Sequence, residues 1–238
     1  MRRPITLAVL LTALSPLLLP APAAAAEPVR RIAIHVEPYY AAARAPGERP
    51  RVAVGRAFDA LLSSNAPADV RAAMEAVRAD PGFVTPMVMM VLAIRLYDMG
   101  MRDEAVFWFY AAKDRYATLE AVADVDAPGL ASAAEAVRAF ATLAGPVING
   151  YAFCDVTRQQ RIRAEALEWV ERNPYRTLFH PQLPGANPGD RRQNLADGLA
   201  EIRENAAKER AYLEDAANVE ELRTTRAKNG ANERYCWR

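Results

Sequence analysis

The stretch Val84–Tyr116, VTPMVMMVLAIRLYDMGMRDEAVFWFYAAKDRY, decides how the rest of the chain must fold. It reads as two helices joined by a tight turn. Thr85 suits the N-cap and Pro86 the first helical position, where a missing N–H costs nothing. No Pro or Gly follows until Gly100, which can take the left-handed conformation that closes a helix. Arg102, Asp103 and Glu104 open the second helix, with both carboxylates favourable at its positive end. Both helices are too apolar for one narrow buried stripe, which predicts burial on more than one side. Phe107, Trp108, Phe109 and Tyr110 are consecutive, and at about 100° per residue they cover most of the helix circumference. Either this helix is enclosed by neighbours, or one aromatic, with Trp108 the candidate, lines a groove.

On the first helix, Met87, Met90, Ile94 and Tyr97 share a face. The segment LAIRLYDMGMRDEAVFWFYAA resembles a tetratricopeptide or Sel1-like helical hairpin through Leu92, Ala93, Gly100, Glu104, Ala105, Phe109 and Ala112. The resemblance covers one unit, about residues 85–116. It departs from the pattern at Leu96 and Arg102, and no Pro closes the unit. In such hairpins small residues let the helices approach and large ones fill the seam. The resemblance implies that the Met87, Met90, Ile94 and Tyr97 face lines a concave groove for a peptide or partner helix. Ordinary core would produce the same spacing.

Working outward, the N-terminus reads as a cleaved signal peptide over residues 1–26. Arg2 and Arg3 form its basic region, Ile5 to Leu19 its apolar core, and Ala24-Ala25-Ala26 its cleavage site. The apolar run, about 15 residues, is short for the ~20 that span a bilayer. A periplasmic or secreted product with no membrane span in its mature form is expected. Removal of this segment leaves 28 basic against 29 acidic residues, a net charge of −1. That balance carries no footprint for nucleic acid or anionic lipid. The remaining chain, roughly 210 residues, is long enough for one substantial core.

The two cysteines, Cys154 and Cys236, read as a disulfide in an oxidising compartment, with two unrelated thiols as the alternative. Such a bond would tie the C-terminal end to mid-chain and contribute at most about 4 to 5 kcal/mol.

Residues 27–51 read as an extended segment and linker, with Ile32, Ile34 and Val36 alternating in a brief strand before Pro38–Pro50. Residues 52–238 read as an all-helical domain. Helices are predicted over Val52–Leu62, after Asn65-Ala66-Pro67 until Asp80-Pro81-Gly82, and from Asp126-Ala127-Pro128 to Gly145. The second hairpin helix continues to about Val122. GPVINGYAFCD, ending at Asp155, reads as a buried segment, and Thr157 with Gln160 as a capping box. Asn173-Pro174 stops that helix, Tyr175–Gly189 forms an ordered loop packing Leu178 and Phe179, and Asp190 caps a last long helix. The fold class is all-α, about seven helices stacked as hairpins, with the tail docked by the disulfide.

No Gly-x-Ser-x-Gly elbow, His-Glu-x-x-His, phosphate-cradling glycine loop or Cys-x-x-Cys is present, so no cofactor or metal is expected. His35 and His180 fall in irregular segments and read as packing or solvated residues. Glu104 beside Phe107 and Trp108 is the carboxylate to watch, because desolvation there would raise its pKa. The expectation is a non-catalytic module that binds another periplasmic or secreted protein or peptide, of the immunity, inhibitor or envelope-scaffold type. The alternative is a carboxylate-dependent hydrolase acting on cell-wall or polysaccharide material. A purely structural envelope component is a third class.

Overall fold

A computed structural model describes residues 27–186 and 189–237; the expected signal peptide lies outside the described residues. Three two-residue strands come first: β1 (His35–Val36), β2 (Tyr40–Ala41) and β3 (Arg51–Val52). Nine α-helices follow among the described residues: α1 (Asp59–Ser63), α2 (Pro67–Ala79), α3 (Pro86–Asp98), α4 (Arg102–Val122), α5 (Ala131–Ala152), α6 (Val156–Arg172), α7 (Arg191–Glu214), α8 (Ala216–Lys228) and α9 (Ala231–Tyr235). Two 3-10 turns, Pro81–Phe83 and Arg176–Phe179, punctuate them. The all-α class is as expected. Among the described residues no helix is long and apolar enough to cross a membrane.

The hairpin forms for the reasons its sequence gives. Thr85 accepts a hydrogen bond from Val88 N–H at 3.2 Å, and Pro86 occupies the first turn. Gly100 takes φ +79°, its N–H donates to Tyr97 O, and Met101 N–H donates to Leu96 O. That is the paired bonding of a Schellman stop. Every residue of α3 from Pro86 to Tyr97 is buried. The helix packs against α1, α2, α4 and α5, so the apolar circumference has partners all round. α4 in turn is covered by α3, α5, α6 and α7, which settles the open question about its four aromatics. Trp108 is fully buried, its ring edge-on to Phe107 at 5.1 Å and to Trp169 of α6 at 5.0 Å.

Two buried arginines hold irregular chain to this hairpin. Arg95 donates to Leu62 O (3.0 Å), Ser64 O (2.8 Å) and Asp98 Oδ2 (2.7 Å), while Asp98 Oδ1 accepts Ile32 N–H at 2.9 Å. Residues 27–51 are therefore not a linker. With Val52 they fold as an antiparallel meander, Val36 opposite Tyr40 and Tyr40 opposite Val52, and Ile32, Val36, Tyr40 and Val52 are buried in the core. Arg115 of α4 is fully buried and donates to Pro81 O, Val84 O and Asn173 O at 2.6–2.9 Å. It has no carboxylate partner among the described residues, and burial lowers its pKa to about 10.

Several boundaries differ from expectation. Val52 is strand, and α1 begins only at Asp59. The fifth helix starts at Ala131 and does not stop at Gly145; it runs on through Pro146 to Ala152, because Ala144, Ile148 and Tyr151 are buried and packing overrides the local penalty. Asp155, not Thr157, caps α6, accepting from Arg158 N–H. The weakly patterned C-terminal end forms α8 and α9, which takes the count above seven.

Cys154 and Cys236 are joined, with Cα atoms 5.5 Å apart. The tail is docked as expected. Arg102 lies over the Trp237 ring at 4.0 Å and donates to Trp237 O at 2.8 Å, and Val29 N–H donates to Arg234 O at 2.9 Å.

Candidate functional site

The face proposed from the sequence as a groove is core. Met90 is 1 % exposed, and Ile94, Tyr97 and Trp108 are 0 % exposed. The spacing that marks a buried face does not say whether chain or ligand buries it, and here α5, the meander and neighbouring helices do so. Tyr97 uses its hydroxyl internally, donating to Val29 O at 2.9 Å.

Met87 alone of that face reaches a concavity. It lines an apolar cleft of about 290 Å³, together with Tyr39, Pro86, Tyr116, Ala133 and Leu183 among others. Four parts of the chain meet there: the segment around the meander, the N-terminal end of α3, the C-terminal half of α4, and α5. The fifth wall is the proline-rich loop 175–186, and its fixation can be traced bond by bond. Ala123 pairs with Gly185, Asp124 N–H donates to Pro184 O at 3.0 Å, and Ala186 N–H donates to Val122 O at 3.1 Å. Arg191 donates to Leu178 O, His180 O and Leu183 O from the start of α7. A loop stitched in this way presents Tyr175, Thr177 and Leu183 to the cleft as a rigid wall.

Arg115 aligns two of these walls. Its bonds to Val84 O and Asn173 O hold the chain immediately before Thr85 and immediately before Pro174-Tyr175. Its guanidinium lies 4.8 Å from the Trp169 ring centroid and 5.6 Å from that of Tyr175. The cleft thus has a charged scaffold behind it and an apolar surface in front.

At the edge, Tyr116 Oη accepts from Arg138 at 2.9 Å, and burial pushes its pKa up to about 12, so the phenol is neutral. Phe83 and Phe179, 60 % and 42 % exposed, stand two residues along the chain from the cleft residues Thr85 and Thr177. The two 3-10 turns that carry them pack together, with Arg176 over the Phe83 ring at 4.4 Å. Leu178 of the loop is buried as expected, whereas Phe179 is not.

The remaining sequence candidates do not converge. His35 and His180 are both exposed. Glu104 is half-buried in a surface pocket of about 200 Å³ with Asp103 and Glu165. Asp103 already accepts from Tyr151 Oη at 2.7 Å and lies 3.4 Å from Arg158, and Glu165 is paired with Arg161 at 2.8 Å. Neither is a free partner acid for Glu104.

The comparisons add one relative. An uncharacterized protein of Haemophilus influenzae is 32% identical over 211 residues, covering 89% of this chain and 81% of the relative. This chain belongs to that protein's family. No family model matches the chain, and no solved structure matches it. Sequence reasoning missed the cleft and the bonded loop behind it because the cleft residues are scattered from Tyr39 to Leu183. The one local signal was the prolines of 175–189, which mark an ordered loop without saying what it faces.

Proposed function

We propose that the protein is a non-catalytic, periplasmic or secreted binding module that takes an apolar anchor of a partner protein into the cleft beside Met87. The observation that carries this reading is the cleft itself: apolar, open to the surface, and walled by chain that continues into two exposed phenylalanines, Phe83 and Phe179. Contiguous exposed apolar surface of this kind marks interaction sites. At about 290 Å³ the cleft sits at the small end of ligand pockets, a size for one or two side chains and not for a large cofactor. The signal-like N-terminus and the joined cysteine pair support an oxidising extracytoplasmic compartment. The hairpin's likeness to tetratricopeptide and Sel1-like units supports a binding role, with the contact moved from the hairpin face to the cleft. Immunity, inhibitor and envelope-scaffold roles all fit such a module.

The test uses Ala133→Phe, which fills the cleft from a half-buried position on α5. Occupancy is read with the apolar fluorophore anilinonaphthalene sulfonate, and circular dichroism confirms the fold. A periplasmic partner that displaces the fluorophore from the wild type and is not captured by folded Ala133→Phe would support the reading. Partner capture undiminished by the filled cleft would sink it.

A further inference from the structure

Arg226 of α8 is buried like Arg95 and Arg115, but its surroundings differ from theirs. Arg95 has the Asp98 carboxylate, and Arg115 spreads its donors over three carbonyls. Arg226 pairs with no carboxylate among the described residues. Its Nε donates to Asn232 Oδ1 at 3.1 Å, and one terminal nitrogen donates to Gly150 O at 2.9 Å. That same nitrogen lies 3.4 Å from Cys154 Sγ and 3.2 Å from Cys236 Sγ, so it faces both sulfurs of the disulfide. A disulfide sulfur is neutral and a weak acceptor, which leaves the buried cation poorly compensated. Burial accordingly pulls the guanidinium below its ordinary pKa.

The two sulfurs become strong partners once the bond opens. A thiolate beside an arginine is held at a lowered pKa, and reduction gives the cation the counter-ion that the oxidised state withholds. A disulfide whose reduced form is stabilised is the more readily reduced. The bond is also within reach. An opening of about 460 Å³ is lined by both cysteines together with Asp155, Thr157, Arg223 and Asn232, among others. Both cysteines are half-buried, and those four neighbours are exposed. Tyr235 of α9 also stands beside Arg226. The charges at the mouth, Asp155 and Arg223, are of opposite sign and screened by solvent, so Arg226 sets the field at the sulfurs.

We propose that Cys154–Cys236 is a thiol-exchange site, a reversible latch on the C-terminal arm that Arg226 holds ready to open. The reductant is a dithiol. One of its thiolates attacks one sulfur of the pair; a mixed disulfide forms as the S–S bond breaks, and the other cysteine leaves as a thiolate against Arg226. The second thiol of the reductant, after losing its proton to solvent, displaces the remaining cysteine as a thiolate. The pair has then gained two electrons, and the dithiol departs as a disulfide. Arg226 faces both sulfurs, so either leaving group is served. The opened arm keeps noncovalent ties at its end, among them Arg102 to Trp237 O and Val29 N–H to Arg234 O. This device is independent of the apolar cleft.

The test reduces the mature chain with dithiothreitol, removes the reagent, and follows the ultraviolet absorbance of thiolate against pH. At about pH 7 the reduced wild type is expected to hold roughly tenfold more thiolate than cysteines at their ordinary pKa of ~8.5 would give. Arg226→Gln should lose that excess. Its equilibrium with reduced and oxidised glutathione, read by maleimide trapping and mass, should move about tenfold toward the disulfide, a shift of ~30 mV for a two-electron couple. Arg226→Lys keeps the charge without the fork and should retain most of both effects. Circular dichroism checks that the variants fold, and the wild-type titration decides by itself if they do not. Ordinary thiolate content in the reduced wild type would overturn the proposal. So would a folded Arg226→Gln that matches the wild type, or a folded Arg226→Lys that matches Arg226→Gln.

Discussion

The α3–α4 hairpin and the C-terminal arm formed by α7 to α9 are both helical, yet they are held by different forces. α3 is buried from Pro86 to Tyr97, and apart from the Arg95–Asp98 network and the Tyr97 hydroxyl its contacts are apolar. α7 is 24 residues long and buries only Ile202 and Leu213 fully. The arm instead depends on separate ties: Glu209 to Gln159, Arg203 to Glu171 at 2.6 Å, Arg226 to Gly150 O at 2.9 Å, and the disulfide at the far end. α7 can approach α4 closely only because Gly198 has no side chain; a Cβ there would stand 2.6 Å from Ala121. Apolar packing spreads the stability of the hairpin over many contacts, whereas the arm is a list of contacts that can be removed one at a time.

Three measurements would break or sharpen that contrast. The largest effect is expected from Met90→Asp, which buries an unpaired charge at a position 1 % exposed. It should cost more than about 4 kcal/mol and leave no cooperatively folded protein by circular dichroism and urea titration. A folded variant would show that the hairpin face is open after all.

Next is the double substitution Cys154→Ala, Cys236→Ala. It should cost roughly 2–5 kcal/mol, the usual range for a native disulfide. The loss should be local: amide exchange is expected to accelerate across α8 and α9 and the end of α7, with protection in α3 and α4 retained. Uniform loss of protection would mean that arm and hairpin unfold as one unit.

The smallest effect concerns pH. Burial raises the pKa of Asp98 above its ordinary 3.8, against the pull of Arg95, whereas Glu204 on exposed α7 is lowered from 4.5 by its bond to Lys208. The folded state therefore binds more protons at Asp98 than the unfolded chain does, and stability from that group grows as pH falls from neutral toward 4. Glu204 behaves oppositely, and its contribution is lost as pH falls through its lowered value. Urea midpoints from pH 7 to 4 should move in favour of the wild type relative to Asp98→Asn, and slightly against it relative to Glu204→Gln. The same sign for both pairs would contradict the contrast between hairpin and arm.

What was legible in the sequence was local. Thr85, Pro86 and Gly100 mark the hairpin's ends because caps and stops are decided by a few neighbouring atoms. The cysteine pair was readable because two cysteines leave one possible pairing. What was not legible depended on distant chain. Pro146 signals a stop, and only the packing around Ile148 and Tyr151 carries α5 past it. The meander was hidden in a segment whose strands are two residues long. The cleft assembles residues more than a hundred positions apart, and a charged Gln159–Glu209–Arg163 seam looks in sequence like any solvated helix face. The hairpin's periodicity identified a buried face correctly, and of the two covers the sequence left open, core and not groove is found.

Arg115 has a consequence for how this family can drift. One guanidinium satisfies three carbonyls, two from the Pro81–Val84 turn and one from the distant Asn173. A lysine carries three donors on one atom and cannot reproduce that fork, and a neutral residue strands the carbonyls. Substitutions at 115 are therefore not graded: the walls of the cleft keep their spacing together or lose it together. Relatives that have exchanged this arginine are expected to have remodelled both 3-10 turns and the cleft with it. That makes one buried position a quick test, readable from an alignment, of which relatives can share the binding mode.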